Sequence, residues 1–342
     1  MSTPQVKLGG RVLELTAPHE ITTTTHPALN QPEPGQVNIQ MTALGLCGTD
    51  LHIYGGRGSA YPWVVGHDGV GIVEATGSGV AGLRQGQRVA VDPVLRCGHC
   101  SACSAGKVQL CKDGGYLGML GPGLAAEYVQ LPASQLIPVP DTVSDLAATV
   151  LEPIAVALHT LNRVRPLLPE PGVAAIIGGG PLGILQTQVM EHFGWDCVIF
   201  EPQQTRRNLA ARLGLRALDP TELGEDWTLG NTPALVVETS AAGAGVDLAE
   251  RVATPGSVIA VVGRGPHSVT PASMLLKELS VLGVKGGPGM YPEAVRLVAE
   301  GVIDPAAVIS DEFSWASAAE AFKRTVEHPD IVVRSVLHGA WS

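Results

Sequence analysis

Apolar positions change their rhythm along this chain. In the first third they form short runs cut by glycine and proline: V-N-I-Q-M at 37–41, G-V-G-I-V at 69–73 and R-V-A-V-D at 88–92. Turn residues at 77–79 and 84–86 separate them. This pattern predicts short strands in an antiparallel β domain with long loops. Past Pro153 the runs alternate in type. Strands are predicted at 173–177, 196–200, 234–238, 257–262 and 279–284, with helices at 181–193 and 205–213. In the first helix Leu182, Leu185, Val189 and Phe193 fall near helical spacing. Apolar strands alternating with helices predict a doubly wound α/β domain, its parallel sheet covered on both faces. Two further helices, at 291–300 and 315–326, are expected to return to the first domain. The boundaries read as 1–153 with 290–342, carrying a lobe at 95–113, and 154–289 for the inserted domain.

Composition narrows the class. A chain of 342 residues suggests about two domains, and 45% hydrophobic residues are enough for sizeable cores. The net charge of −10 argues against a nucleic-acid partner, because phosphate binding needs clustered Lys and Arg. No apolar stretch approaches the ~18 residues that span a bilayer, so no membrane partner is expected. The first residues carry no basic-then-apolar signal segment. A reducing, cytoplasmic setting is therefore expected for the thiols.

Four of the six cysteines, Cys97, Cys100, Cys103 and Cys111, share one short segment. Two-residue spacing lets the chain curl so that thiolates converge on one ion, and four sulfurs make the closed shell of a structural zinc site. Two disulfides would need an oxidising compartment. An iron–sulfur cluster also uses such spacing and stays open on spacing alone. His99, inside the knuckle, reads as a loop residue beside a shell already complete. Cys197 reads as a buried strand residue.

Between the first strand and helix of the second domain lies G-G-G-P-L-G, 178–183. Here Gly178 allows a tight turn, Gly180 a close backbone approach to a pyrophosphate, and Gly183 the packing of helix on strand. With Pro181 and Leu182 these residues open a helix whose free N–H groups favour an anion. The next strand ends in Glu201, which can accept ribose hydroxyls and would repel a 2′-phosphate, favouring NAD over NADP. Arg206 and Arg207 follow closely. They read either as solvated arginines or as groups covering the adenine or meeting a phosphate.

Other ligand types stand alone: L-C-G-T-D-L-H at 46–52, G-H-D at 66–68 and L-E-P at 151–153. Together, and in this order, these motifs resemble the zinc-dependent medium-chain dehydrogenase/reductase family over nearly the whole chain. The sorbitol, threonine and butanediol dehydrogenase branch is the most similar. The resemblance implies a GroES-like β-rich catalytic domain with an inserted Rossmann domain. It also implies two zinc ions per chain. Cys47 and His67 would bind the catalytic one, completed by Asp68 or Glu152. Asp68 is one methylene shorter than the glutamate usual after the histidine, so Glu152 ranks ahead as the longer arm. Asp50 resembles the carboxylate that orients the histidine, or is a turn cap. Thr49 would take the alcohol proton and pass it, through the nicotinamide ribose, towards His52. The implied reaction moves a hydride between NAD(H) and a secondary alcohol or ketone, such as a polyol, amino alcohol, sugar or aminocyclitol.

Tyr54, Trp63 and Met290 are further candidates near a substrate cleft, while His159 and His267 read first as packing residues. The strand at 279–284 resembles an edge through which such enzymes form dimers or tetramers. A non-catalytic dinucleotide-binding relative would keep 178–183 and could lose Cys47, Thr49, His52 and His67, all present here. The four-cysteine lobe and the Cys47/His67 pair argue against a zinc-independent quinone reductase.

Overall fold

A computed structural model describes residues 6–58, 60–224, 233–263, 265 and 269–341. His267 lies outside them. The chain divides into one unit of Met1–Glu152, Tyr291–Glu300 and Ile309–Ser342, and another of Pro153–Met290 with Gly301–Val308.

The first unit is built on a mostly antiparallel sheet. Its strands run in the order Glu20–His26, Lys7–Ala17, Ala126–Pro132, Gln36–Gly45, Asp68–Thr76, Arg88–Val91 and Leu136–Pro138. Val12, Leu15, Val37, Ile39, Val73, Val89 and Leu131 turn into one core and are buried completely or nearly so. Each such side chain contributes roughly 1.5–3 kcal/mol over an exposed one. At its far end Gln36–Gly45 also takes on the C-terminal strand Ser335–His338, with Gly45 facing Val336 on one side and Asp68 on the other. Residues nearly three hundred positions apart in sequence thus become neighbours.

The second unit holds a parallel sheet of six described strands, ordered Ala217–Leu218, Asp196–Phe200, Val173–Ile177, Leu235–Glu238, Val258–Val261 and Ser280–Gly283. Consecutive residues of its central strands are buried, which requires cover on both faces. The helix Pro181–His192 supplies part of that cover through Ile184, Leu185, Val189 and Met190. Proline at its first turn costs no hydrogen bond there.

The tail differs from its sequence reading in one place. Gly301–Val308 belongs to the second unit, not the first. Its buried Ile303 and Val308 need a core, and Asp304 N donates to Gln188 Oε1 of the Pro181–His192 helix at 3.2 Å. Tyr291–Ala299 and Ala318–Glu327 form the two expected helices, the latter preceded by a tighter turn at Trp315–Ser317. Among the described residues no helix is long and apolar enough to cross a membrane.

Candidate active site and dinucleotide loop

The first unit gathers Cys47, His67 and Asp68 so that one ligand atom of each lies within 4.8 Å of the others. Cys47 sits just before the short helix Gly48–His52, and His67 just before the strand Asp68–Thr76. Asp50, fully buried, joins the two segments. Its Oδ2 accepts from Cys47 N and its Oδ1 from Gly66 N, both at 2.9 Å. His67 Nδ1 stands 3.8 Å from Asp50, beyond hydrogen-bond reach. Asp50 therefore caps the turn at Cys47 and ties it to the segment before His67, which is the turn-cap reading; it makes no hydrogen bond to the His67 ring.

Asp68 is held from the far end of the chain. Arg334, 4% exposed in its side chain, donates to Asp68 Oδ2 at 2.5 Å and to Thr149 O at 3.1 Å. The guanidinium crosses the strand at Gly45, where a Cβ would lie 2.2 Å from Arg334 Nη2. Only glycine lets the arginine through. Glu152, which arm length had ranked first, lies outside the three-atom group. The Tyr116 hydroxyl donates to its Oε1. Burial, with Asp68 adding, raises Glu152 to about 7 against the opposing pulls of His67, the Tyr116 hydroxyl and Arg334. The Tyr116 ring meets His67 edge-on at 5.5 Å.

This donor set suits a cation. His67 Nδ1 and Asp68 Oδ1 are buried with no hydrogen-bond partner among the described residues, and Asp68 Oδ1 stands 3.8 Å from His67 Nε2. Burial opposes a charged imidazole, yet Asp68, Cys47 and Asp50 outweigh it and push His67 well above its ordinary range. Sulfur, imidazole and carboxylate are zinc ligand types. Thr49 Oγ1 is also buried without a described partner, one helical turn from His52.

The cysteine lobe forms a second, separate group. The sulfurs of Cys97, Cys100, Cys103 and Cys111 lie within 4.8 Å of one another, and all six cysteines of the chain are free. Backbone N–H groups point at the sulfurs, Cys97 N at Cys111 Sγ (3.3 Å) and Cys100 N at Cys97 Sγ (3.4 Å). Backbone donors at Cys103 and Lys112 bring the Cys100 thiol down to about 6. Such donors favour thiolate, the form that binds metal. His99, exposed, donates through Nδ1 to Cys97 O at 2.8 Å.

In the second unit Gly178 follows the strand Val173–Ile177 and Gly180 caps the helix that Pro181 and Leu182 begin. A Cβ on Gly183 would sit 1.9 Å from Gly178 O, so helix and turn pack only with glycine there. Glu201 turns back onto the loop. Its carboxylate accepts from Gly179 N (2.7 Å) and Gln203 N (2.8 Å), with Arg206 Nη1 at 3.8 Å. Arg207 is engaged by Asp219 at 2.7 Å and by the carbonyls of Glu201 and Pro202. Cys197 is buried in its strand as a small apolar residue would be.

Tyr54 packs into the core rather than standing exposed. It is 5% exposed in the core of the first unit, against His19 and Phe322. Trp63 donates from Nε1 to Gly118 O, and Met290 Sδ accepts from Asn162. His159 is half-buried on the helix Leu151–Val164, and burial lowers its pKa. Sequence reasoning missed Arg334 and Tyr116. One signal existed for the former: a single arginine inside the apolar run I-V-V-R-S-V-L.

Residues 33–141 match the family described as alcohol dehydrogenase GroES-like domain, and 181–300 the family described as zinc-binding dehydrogenase. The chain is 30% identical over 309 residues to the starvation-sensing protein RspB of Escherichia coli K12, covering 85% of this chain and 88% of that protein. It is 31% identical over 311 residues to 2-dehydro-3-deoxy-L-galactonate 5-dehydrogenase of Pseudoalteromonas atlantica, covering 87% and 90%. A crystal structure described as a short chain alcohol dehydrogenase (rspB) from E. coli CFT073, complexed with the cofactor NADH, superposes with a TM-score of 0.86 at 26% identity, covering 97% of this chain and all of that one.

Proposed function

The chain belongs to the zinc-dependent medium-chain dehydrogenase/reductase family, and from that premise we propose that it interconverts a hydroxyl-rich secondary alcohol and its ketone with NAD(H). Cys47, His67 and Asp68 would hold a catalytic zinc. Cys97, Cys100, Cys103 and Cys111 would hold a structural one. When bound, the catalytic ion acts as a Lewis acid that lowers the pKa of the alcohol, and the nicotinamide accepts the hydride. The remaining work falls to the chain's own residues. Asp50 sets the spacing of the Cys47 and His67 segments by binding the backbone N–H groups of Cys47 and Gly66. Arg334 takes one oxygen of Asp68 and leaves the other facing the group. Thr49 Oγ1, unsatisfied among the described residues, would accept the alcohol proton, with His52 on the same short helix passing it to solvent.

Gly178, Gly180, Pro181, Leu182 and Gly183 would seat the pyrophosphate at a helix N-terminus. Glu201, beside that turn, favours NAD by repelling a 2′-phosphate, with Arg206 at its flank. The relatives named above include a sugar-acid dehydrogenase, which agrees with a polar, hydroxylated substrate. Ser280–Gly283 ends the parallel sheet among the described strands, and the exposed Leu275 and Leu276 lie near it in sequence. A homodimer or homotetramer pairing there would cover both.

One observation carries this reading: a thiol, an imidazole and a carboxylate converge in a buried site apart from the four-cysteine lobe. The test follows NADH absorbance with zinc-loaded protein, NAD or NADP, and a panel of polyols, sugar acids and amino alcohols. NAD-dependent turnover abolished by Cys47→Ala supports it. No turnover across the panel, with cofactor binding intact, would favour a non-catalytic dinucleotide-binding protein.

A further inference from the structure

Two carboxylates near His67 are held by different captors. Arg334 takes Asp68 Oδ2, leaving Oδ1 buried without a hydrogen-bond partner among the described residues, 3.8 Å from His67 Nε2. Tyr116 takes Glu152 Oε1, and Glu152 stays outside the three-atom group. Both Tyr116 and Glu152 are more than nine-tenths buried. A phenylalanine would fill the same volume against His67, so packing alone does not require the Tyr116 hydroxyl.

We infer that Tyr116 is a positioning residue that keeps Glu152 off the catalytic metal, so that Asp68 completes the set begun by Cys47 and His67; this rests on the zinc-dehydrogenase reading above. A buried carboxylate stripped of its donor must take up a proton, find another partner or stay uncompensated, and a nearby divalent cation competes with the proton. Glu152 lies near enough to Asp68 and His67 for their charges to act on one another. The cation held by that group is therefore the compensation at hand. With Glu152 added, the ligands would number four, a closed shell that holds metal firmly and leaves no open position for the alcohol. Removing one hydroxyl should thus slow metal loss while lowering turnover. A purely structural defect would speed metal loss instead.

The test compares wild type, Tyr116→Phe, Glu152→Gln and the double variant. Each is reconstituted with cobalt(II) and read by visible absorption and by the rate of metal loss to a chelator. Glu152→Gln should match wild type in both. Tyr116→Phe should change the spectrum and slow metal loss by about tenfold or more, comparable in size but opposite in sign to the usual loss when an orienting group is removed. The double variant should return to wild type. The inference is overturned if Tyr116→Phe matches wild type, if its effect persists without Glu152, or if Glu152→Gln alone changes the spectrum. That last arm can still overturn the inference even if Tyr116→Phe does not fold. Failure of the underlying reading looks different: Cys47→Ala would then leave the cobalt spectrum untouched.

Discussion

The two sulfur-bearing groups of this chain are assembled in opposite ways. Cys97, Cys100, Cys103 and Cys111 come from one stretch, and their backbone donors belong to that same stretch. The group of Cys47, His67 and Asp68 joins two neighbouring segments but is held from far away: Arg334 lies 266 positions from the carboxylate it holds. The lobe is largely exposed, whereas His67, Asp68 and Arg334 are buried. A closed, local shell needs little from the surrounding fold. An open, buried one would need its charges fixed from several sides, because water could not solvate what a bound metal left over.

Substitutions can break this contrast at chosen points. The largest effect is expected from His67→Ala. Lewis-acid activation is worth several kcal/mol, so kcat/KM should fall by roughly a thousandfold or more, while the lobe keeps its metal. Next comes Arg334→Met, which in metal-free protein leaves Asp68 buried without its cation. Urea unfolding should show a loss of about 3–5 kcal/mol, much of it recovered in Arg334→Met with Asp68→Asn. Gly45→Ala places a methyl where the guanidinium passes, and should cost about 1–3 kcal/mol by the same measurement. The smallest effect belongs to the lobe: His99→Ala should leave zinc retention unchanged and shift stability by no more than about 0.5 kcal/mol. A large loss of zinc in that variant would make His99 a ligand and undo the contrast from the other side.

The same contrast explains what was legible in the sequence. The lobe can be read because its ligands are neighbours and cysteine has few other reasons to recur at that spacing. The G-x-G-x-x-G turn can be read because Gly183 meets Gly178 O within five residues of sequence. The alternating strands and helices of the second unit follow from hydrophobic period alone. What stayed hidden was long-range pairing. Nothing near Asp68 names Arg334, since only the antiparallel register of Gln36–Gly45 with Ser335–His338 brings them together. Arm length ranked Glu152 first, but that reading could not see that its Oε1 accepts from the Tyr116 hydroxyl and that it lies outside the three-atom group. Tyr54 was unreadable for a similar reason: nothing local says that this tyrosine packs against His19 and Phe322.

The account stands on a second metal held apart from the cysteine lobe, and metal analysis of wild type, Cys47→Ala and Cys103→Ala tests that most directly. About two zinc ions per chain are expected in wild type, and about one in each variant, with Cys47→Ala folded but inactive. A single zinc in wild type, lost with Cys103 and indifferent to Cys47, would contradict it.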